Sequence, residues 1–192
     1  MSTSIPHWVR ATTLGWLLGI PLIIVFALAG EAIGIGGVQS LVGAGVGMGV
    51  GLMQGRALRP RLGSPAPWII ASTLGLALPF IIYDVSVALK RPLPYQLQAV
   101  VAIGGLVVGL WQSVLLKPKY QNSGIWIGAS LMGWALAAAA AYGGDVIRFT
   151  NIRGIIGALL YLGTIVVGGP ALGLVTGLAL KRLVPRHPGT SE

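Results

Sequence analysis

Gln54, Gln112 and Thr176 lie five residues before Arg59, Lys117 and Lys181, and Thr12, Ser72 and Ser130 lie four residues after Trp8, Trp68 and Trp126. Amides and hydroxyls at such regular intervals have two uses in an apolar chain. They can line a binding ring for a solute, a headgroup or the polar end of a cofactor. They can instead bond one helix to the next, each bond contributing about 0.6–2 kcal/mol in a membrane, although Ser and Thr also bond their own helix backbone. At 1.5 Å per residue the three amide or hydroxyl positions sit about 7 Å inside the basic ends, and the other three lie at a similar depth. A polar layer facing protein is therefore expected near one end of the chain's helices, and these six residues are its candidate ligand-binding groups. Arg56, two residues after Gln54, makes the first copy of this pattern more polar than the others.

Asp84 is the seventh candidate. It stands about two turns before Lys90 in an otherwise apolar stretch. A carboxylate within a membrane span is by default a proton or cation site. The competing reading is a residue at the outer end of its span, reaching water or paired with Lys90, Arg91 or Arg148. Glu31 and Asp145 are read as loop residues, with Asp145 able to pair with Arg148 at i+3 if that stretch is helical.

Catalytic material is otherwise lacking. The 192 residues include four acids, two histidines and no cysteine, so disulfide, thiolate and acid-pair chemistry and metal-ligand clusters have little to work with. His7 and His187 fall outside the apolar stretches and suit no buried haem, chlorophyll or metal. The run GAGVGMGVG (43–51) resembles a phosphate loop by composition only, because it lacks the Lys-Ser/Thr ending and lies in an apolar segment. The chain is not expected to be an enzyme, and no cofactor class follows from its residues.

The elements that must position these groups are set by hydropathy. Hydrophobic residues make up 55% of the chain, charged ones 9%, and 30 residues are glycine, a balance that hydrocarbon accepts and a soluble domain of this size does not. Apolar spans are expected at 11–30, 36–57, 68–89, 96–116, 125–143 and 154–180. Each must be a helix, because lipid offers no partner for an open backbone amide. The fold expected is all-α integral membrane, six transmembrane helices in a single domain over 1–192.

The net charge of +9 is a topology signal. Arg10, Arg56, Arg59, Arg61, Lys117, Lys119, Lys181, Arg182 and Arg186 fall on one side; Lys90, Arg91, Arg148 and Arg153 fall on the other with the three acids. Basic short loops stay in the cytoplasm, so both termini are expected there, in a bacterial inner membrane. The cations also attract anionic headgroups, and nucleic acid is not needed to explain them. Arg10 followed by an apolar run and Ala27-Leu28-Ala29 imitates a cleavable secretory signal, but the repeat described next includes that span and argues against cleavage.

The phrases WVRATTLG (8–15), WIIASTLG (68–75) and WIGASLMG (126–133) open the odd spans. GLMQGRALRPR (51–61), GLWQSVLLKPK (109–119) and GLVTGLALKR (173–182) close the even ones. One helical hairpin is thus written three times, over about 8–61, 68–119 and 126–182, which implies quasi-threefold packing. The tryptophans are expected at the membrane interface, where amphipathic indoles gather. Small residues recur at four-residue spacing, as in Gly43/Gly47/Gly51/Gly55, Gly105/Gly109/Ser113 and Ala129/Gly133/Ala137, so helix backbones should approach closely. Pro21, Pro79 and Pro170 are expected to kink or locally unwind their spans.

The Trp-x-x-Ala-Ser and Gly-x-x-Gln phrases resemble those of uncharacterised bacterial multi-pass membrane proteins built from repeated two-helix units. The resemblance covers nearly the whole chain and implies location and architecture, with no active residues carried over. Two functions fit. The first is a non-catalytic membrane subunit that packs in or helps assemble a larger complex and holds lipid or an apolar cofactor, its partners being membrane lipids and membrane proteins or further copies of itself. The alternative is a small-solute carrier, channel or substrate-binding membrane subunit of a transporter. A water-accessible cavity bounded by Gln54, Gln112 and Ser72 would favour transport, whereas a solid core there would favour the subunit.

Overall fold

A computed structural model describes residues 4–91, 96–149 and 154–186, without the side chains of residues 96, 145, 148 and 149. The pairing of Asp145 with Arg148, together with Arg153 and His187, lies outside what is described.

Six helices form among these residues: α1 (Ile5–Ala32), α2 (Ser40–Leu62), α3 (Ala66–Ala88), α4 (Gln96–Leu116), α5 (Ile125–Phe149) and α6 (Gly154–Arg182). α1 starts six residues earlier than hydropathy suggests, because Ser4 Oγ accepts the His7 backbone N–H at 3.4 Å and Pro6 sits in the first turn, both favourable helix starts. Glu31 belongs to the last turn of α1 and the backbone of Asp145 belongs to α5, so neither is a loop residue as expected. α1 ends just before Gly34 and α2 just before Gly63, both at positive φ, where glycine bears no steric cost. Pro21, Pro79 and Pro170 lie inside continuous helices, so the expected local unwinding does not occur.

Five of the helices, all but α2, are long and apolar enough to cross a membrane, which marks a multi-pass membrane protein. The sixth expected span, α2, falls short of that measure because its glycines and Arg56 dilute its apolar character. Large apolar side chains such as Ile24, Leu28, Ile82, Val114 and Ile155 face outward, as a lipid environment requires.

Each helix packs on its neighbours in chain order, and α6 returns to α1, so the six close into a ring. α2 shows how glycine makes this possible. A Cβ added at Gly15 of α1 would lie 2.7 Å from the Gly49 carbonyl oxygen and 2.8 Å from Val50 Cα; one added at Gly51 would lie 2.8 Å from Ser72 Cβ of α3. The stripe Gly43/Gly47/Gly51 faces α3, while Gly45 and Gly49 form a second stripe against α1 that the four-residue spacing of the first one hides. The two stripes let one helix backbone touch both neighbours, where dispersion over close contact holds the helices together in lipid.

At the basic end the linker after α4 is clipped to the segment after α6. Gln121 N–H donates to the Val184 carbonyl at 3.0 Å, Arg186 N–H to the Lys119 carbonyl at 2.9 Å, and Tyr120 bridges Pro185. Asn122 donates its amide to the Arg182 carbonyl at 2.7 Å and accepts the Val184 N–H at 2.8 Å.

Candidate functional site

The repeated phrases meet in one hydrogen-bonded layer inside the basic end of the ring. Trp68 on α3 donates its indole N–H to Gln54 Oε1 on α2 at 3.2 Å, and Gln54 Nε2 donates to Thr12 Oγ1 on α1 at 3.1 Å. One hairpin later the pattern repeats. Trp126 donates to Gln112 Oε1 at 2.7 Å, and Gln112 Nε2 donates to Ser72 Oγ at 2.9 Å. Where the ring closes, Trp8 donates to Thr176 Oγ1 at 2.9 Å, and that hydroxyl donates to the Leu172 carbonyl of its own helix at 2.7 Å. Ser130, with no glutamine to meet, donates to the Gly105 carbonyl at 2.8 Å.

This geometry explains the choice of glutamine. Its side chain carries an acceptor and a donor on one planar group, so a single residue takes the indole of the next hairpin and holds the hydroxyl of its own. Threonine accepts the indole but has only its own backbone to bond, which fits its place in the third copy.

The three tryptophans are not at the interface. Trp8, Trp68 and Trp126 are each 0% exposed, a correction with a clear cause. A buried indole needs only one acceptor for its single N–H, and the amide layer supplies it, so the rings fill the end of the bundle instead of seeking water. Trp126 touches both others edge-on, with ring centroids 5.9 Å from Trp8 and 5.4 Å from Trp68. Leu58, Leu116 and Leu180 pack in the same cluster, each four residues beyond Gln54, Gln112 or Thr176. All six polar-layer residues are buried, and among the described residues no buried side-chain nitrogen or oxygen lacks a partner.

Deeper in the ring is a cavity of about 190 Å³. Its walls include Trp16, Leu76 and Trp134, which follow Trp8, Trp68 and Trp126 by eight residues each. None of the six polar-layer residues lines it. Trp16 donates its indole N–H to the Ile165 carbonyl at 2.9 Å, beside the Val166 carbonyl that Pro170 leaves without its helical donor. Val46, Phe80 and Ala138 complete an almost wholly apolar wall, and Gln39, Gln98 and Tyr142 stand toward the end where α2 and α4 begin. Extending the aligned phrases by one residue would have exposed the Trp16/Leu76/Trp134 set in the sequence. The cavity itself has no sequence signal.

Asp84 stands apart from the polar layer, near the cavity's other end. Its carboxylate accepts the backbone N–H of Gln39 at 2.7 Å and of Ser40 at 3.0 Å. It therefore caps α2 from α3, where unpaired N–H groups and the helix dipole favour a negative charge, and α2 has no side-chain cap of its own at Gln39. No described group of three or more His, Cys, Asp or Glu could hold a metal ion.

Comparison of the chain with family models, with curated proteins and with solved structures returns no match.

Proposed function

We propose that this chain is a non-catalytic, multi-pass subunit of a bacterial inner-membrane complex, and that it holds a lipid tail or apolar cofactor in the cavity lined by Trp16, Phe80 and Trp134. In this reading α2 is a sixth span, the three hairpins pack with quasi-threefold symmetry, and both termini are cytoplasmic. The parallel bonding of Trp68 to Gln54, Trp126 to Gln112 and Trp8 to Thr176 supports the symmetry. The nine basic residues at one end support the orientation.

One observation carries the functional reading: the apolar cavity is separate from the polar layer, none of whose six residues lines it, and that layer is closed. Gln54, Gln112 and Ser72 are 3%, 2% and 1% exposed, and their hydrogen bonds run to protein. A solute path needs polar groups that water reaches, whereas a pocket walled almost wholly by apolar side chains favours apolar ligands. The alternative of a small-solute carrier has one observation in its favour, that the cavity lies on a single side of the closed layer, as an alternating-access site would.

Native mass spectrometry of protein purified gently from its own membrane tests this. The expected spectrum contains partner subunits and an apolar adduct that the cavity-filling Ala138→Phe abolishes. A lone chain carrying a water-soluble solute would overturn the subunit reading in favour of the carrier.

A further inference from the structure

The third hairpin departs from the other two at three places that share one groove. Aligning the repeated phrases sets Gly128 against Arg10 and Ile70, Val175 against Met53 and Trp111, and Arg182 against Pro60 and Pro118. Gly128, Val175 and Arg182 all line a groove of about 330 Å³ between α5 and α6. The third copy has thus lost bulk twice and gained a cation once along one surface.

Nothing in the fold requires glycine at 128. A Cβ there would meet no atom within 4 Å, in contrast to the glycines of α2, which neighbouring backbone excludes from growing. Glycine within a helix costs about 0.8–1 kcal/mol relative to alanine, so its effect at this position is the open groove. Arg182 closes the basic end of that groove, and its backbone is fixed by Asn122, whose amide bonds the Arg182 carbonyl at 2.7 Å. The two described acids, Glu31 and Asp84, lie at the opposite end of the bundle. From Arg182 to Val175 is about 10 Å along α6, with Met132 and Leu178 supplying apolar walls. The smaller opening near Ser64 and Pro67 is different, because Lys119 Nζ there donates to the Arg61 carbonyl.

We propose that the α5–α6 groove binds one anionic phospholipid, its phosphate on the Arg182 guanidinium and an acyl chain laid over Gly128. A guanidinium meets a phosphate with two parallel N–H donors, and the ammonium of a zwitterionic headgroup would oppose it. The proposal needs the helices to span a membrane but is independent of what fills the inner cavity.

The test offers delipidated protein an equimolar mixture of phosphatidylglycerol and phosphatidylethanolamine with matched chains, read by native mass spectrometry. One lipid is expected in the groove, beyond any inner-cavity occupant that Ala138→Phe removes, with phosphatidylglycerol favoured about fivefold, the ratio that one interfacial cation supports. Arg182→Ala should bring the two lipids to parity, and Gly128→Leu should remove the adduct, while Arg186→Ala and the cavity-filling Ala138→Phe leave it in place. Equal retention by the unaltered protein, or a preference that survives both groove substitutions, would overturn the proposal. A photoactivatable phosphatidylglycerol acyl probe gives a second readout in the unaltered protein. Cross-linking at Met132 supports the site; cross-linking confined to other helices refutes it.

Discussion

The two ends of the ring are built from the same six helices and solve opposite problems. At the basic end, indoles, amides and hydroxyls fill the centre and bond one another, and among the described residues no buried side-chain nitrogen or oxygen is left without a partner. Toward the other end the walls are apolar and the centre is empty over about 190 Å³. The difference lies in where large side chains and hydrogen-bond partners come together. Three indoles converge at one level, whereas the next set, Trp16, Leu76 and Trp134, contains a leucine and is followed by residues as small as Ala138. Polar groups in this protein close a space, and apolar groups keep one open.

The comparison is broken most severely by Trp126→Ala. This indole contacts both other core tryptophans and bonds Gln112, so its loss should cost about 3–5 kcal/mol, read as a lower midpoint in detergent unfolding. An effect no larger than that of a lipid-facing substitution such as Val114→Ala would mean that the basic end is not the stable one. Gln112→Leu strands the Trp126 indole and also removes the donor to Ser72 Oγ, which keeps its own bond to the Trp68 carbonyl at 2.8 Å, and is expected to cost about 1–3 kcal/mol. Thr176→Val strands one indole and should cost less, so equal losses would contradict the two-bond role given to glutamine.

At the other end the effects become smaller and local. Asp84→Ala removes the cap on α2 and should cost about 1 kcal/mol. Hydrogen exchange should quicken at residues 39–42 and stay unchanged around Trp68; uniform quickening would show that the two ends are not separate. Ala138→Phe grows into empty space and should change stability by less than about 1 kcal/mol, although it expels the cavity's occupant. A loss of several kcal/mol there would mean that the space is not free to be filled.

Much of this could be read before any coordinates. The expected span 96–116 coincides with α4, and of the polar residues singled out by spacing, Gln54 bonds Thr12 and Gln112 bonds Ser72, while Thr176 meets Trp8 and Ser130 the Gly105 carbonyl. Four features escaped for physical reasons. A helix that is apolar all round gives no hydrophobic face, so hydropathy could not say whether Trp8, Trp68 and Trp126 face lipid or core. The Gly45/Gly49 stripe is masked by the glycines beside it. The Asp84 cap joins residues 45 apart in sequence, beyond any local pattern, and an empty volume leaves no residue type to mark it.

The ring's last bond also sets a schedule for its synthesis. Trp8 finds its acceptor on Thr176, 168 residues later. At about 5–20 residues per second, the ribosome takes roughly ten to thirty seconds to deliver that partner after the first helix has entered the membrane. Through that interval the first tryptophan's N–H and the exposed flank of α1 await a neighbour that does not yet exist. A chain that stalls after its second hairpin would have Gln54 and Thr12 already joined, yet would present an open edge on α1, a feature by which membrane quality control could tell an unfinished ring from a closed one.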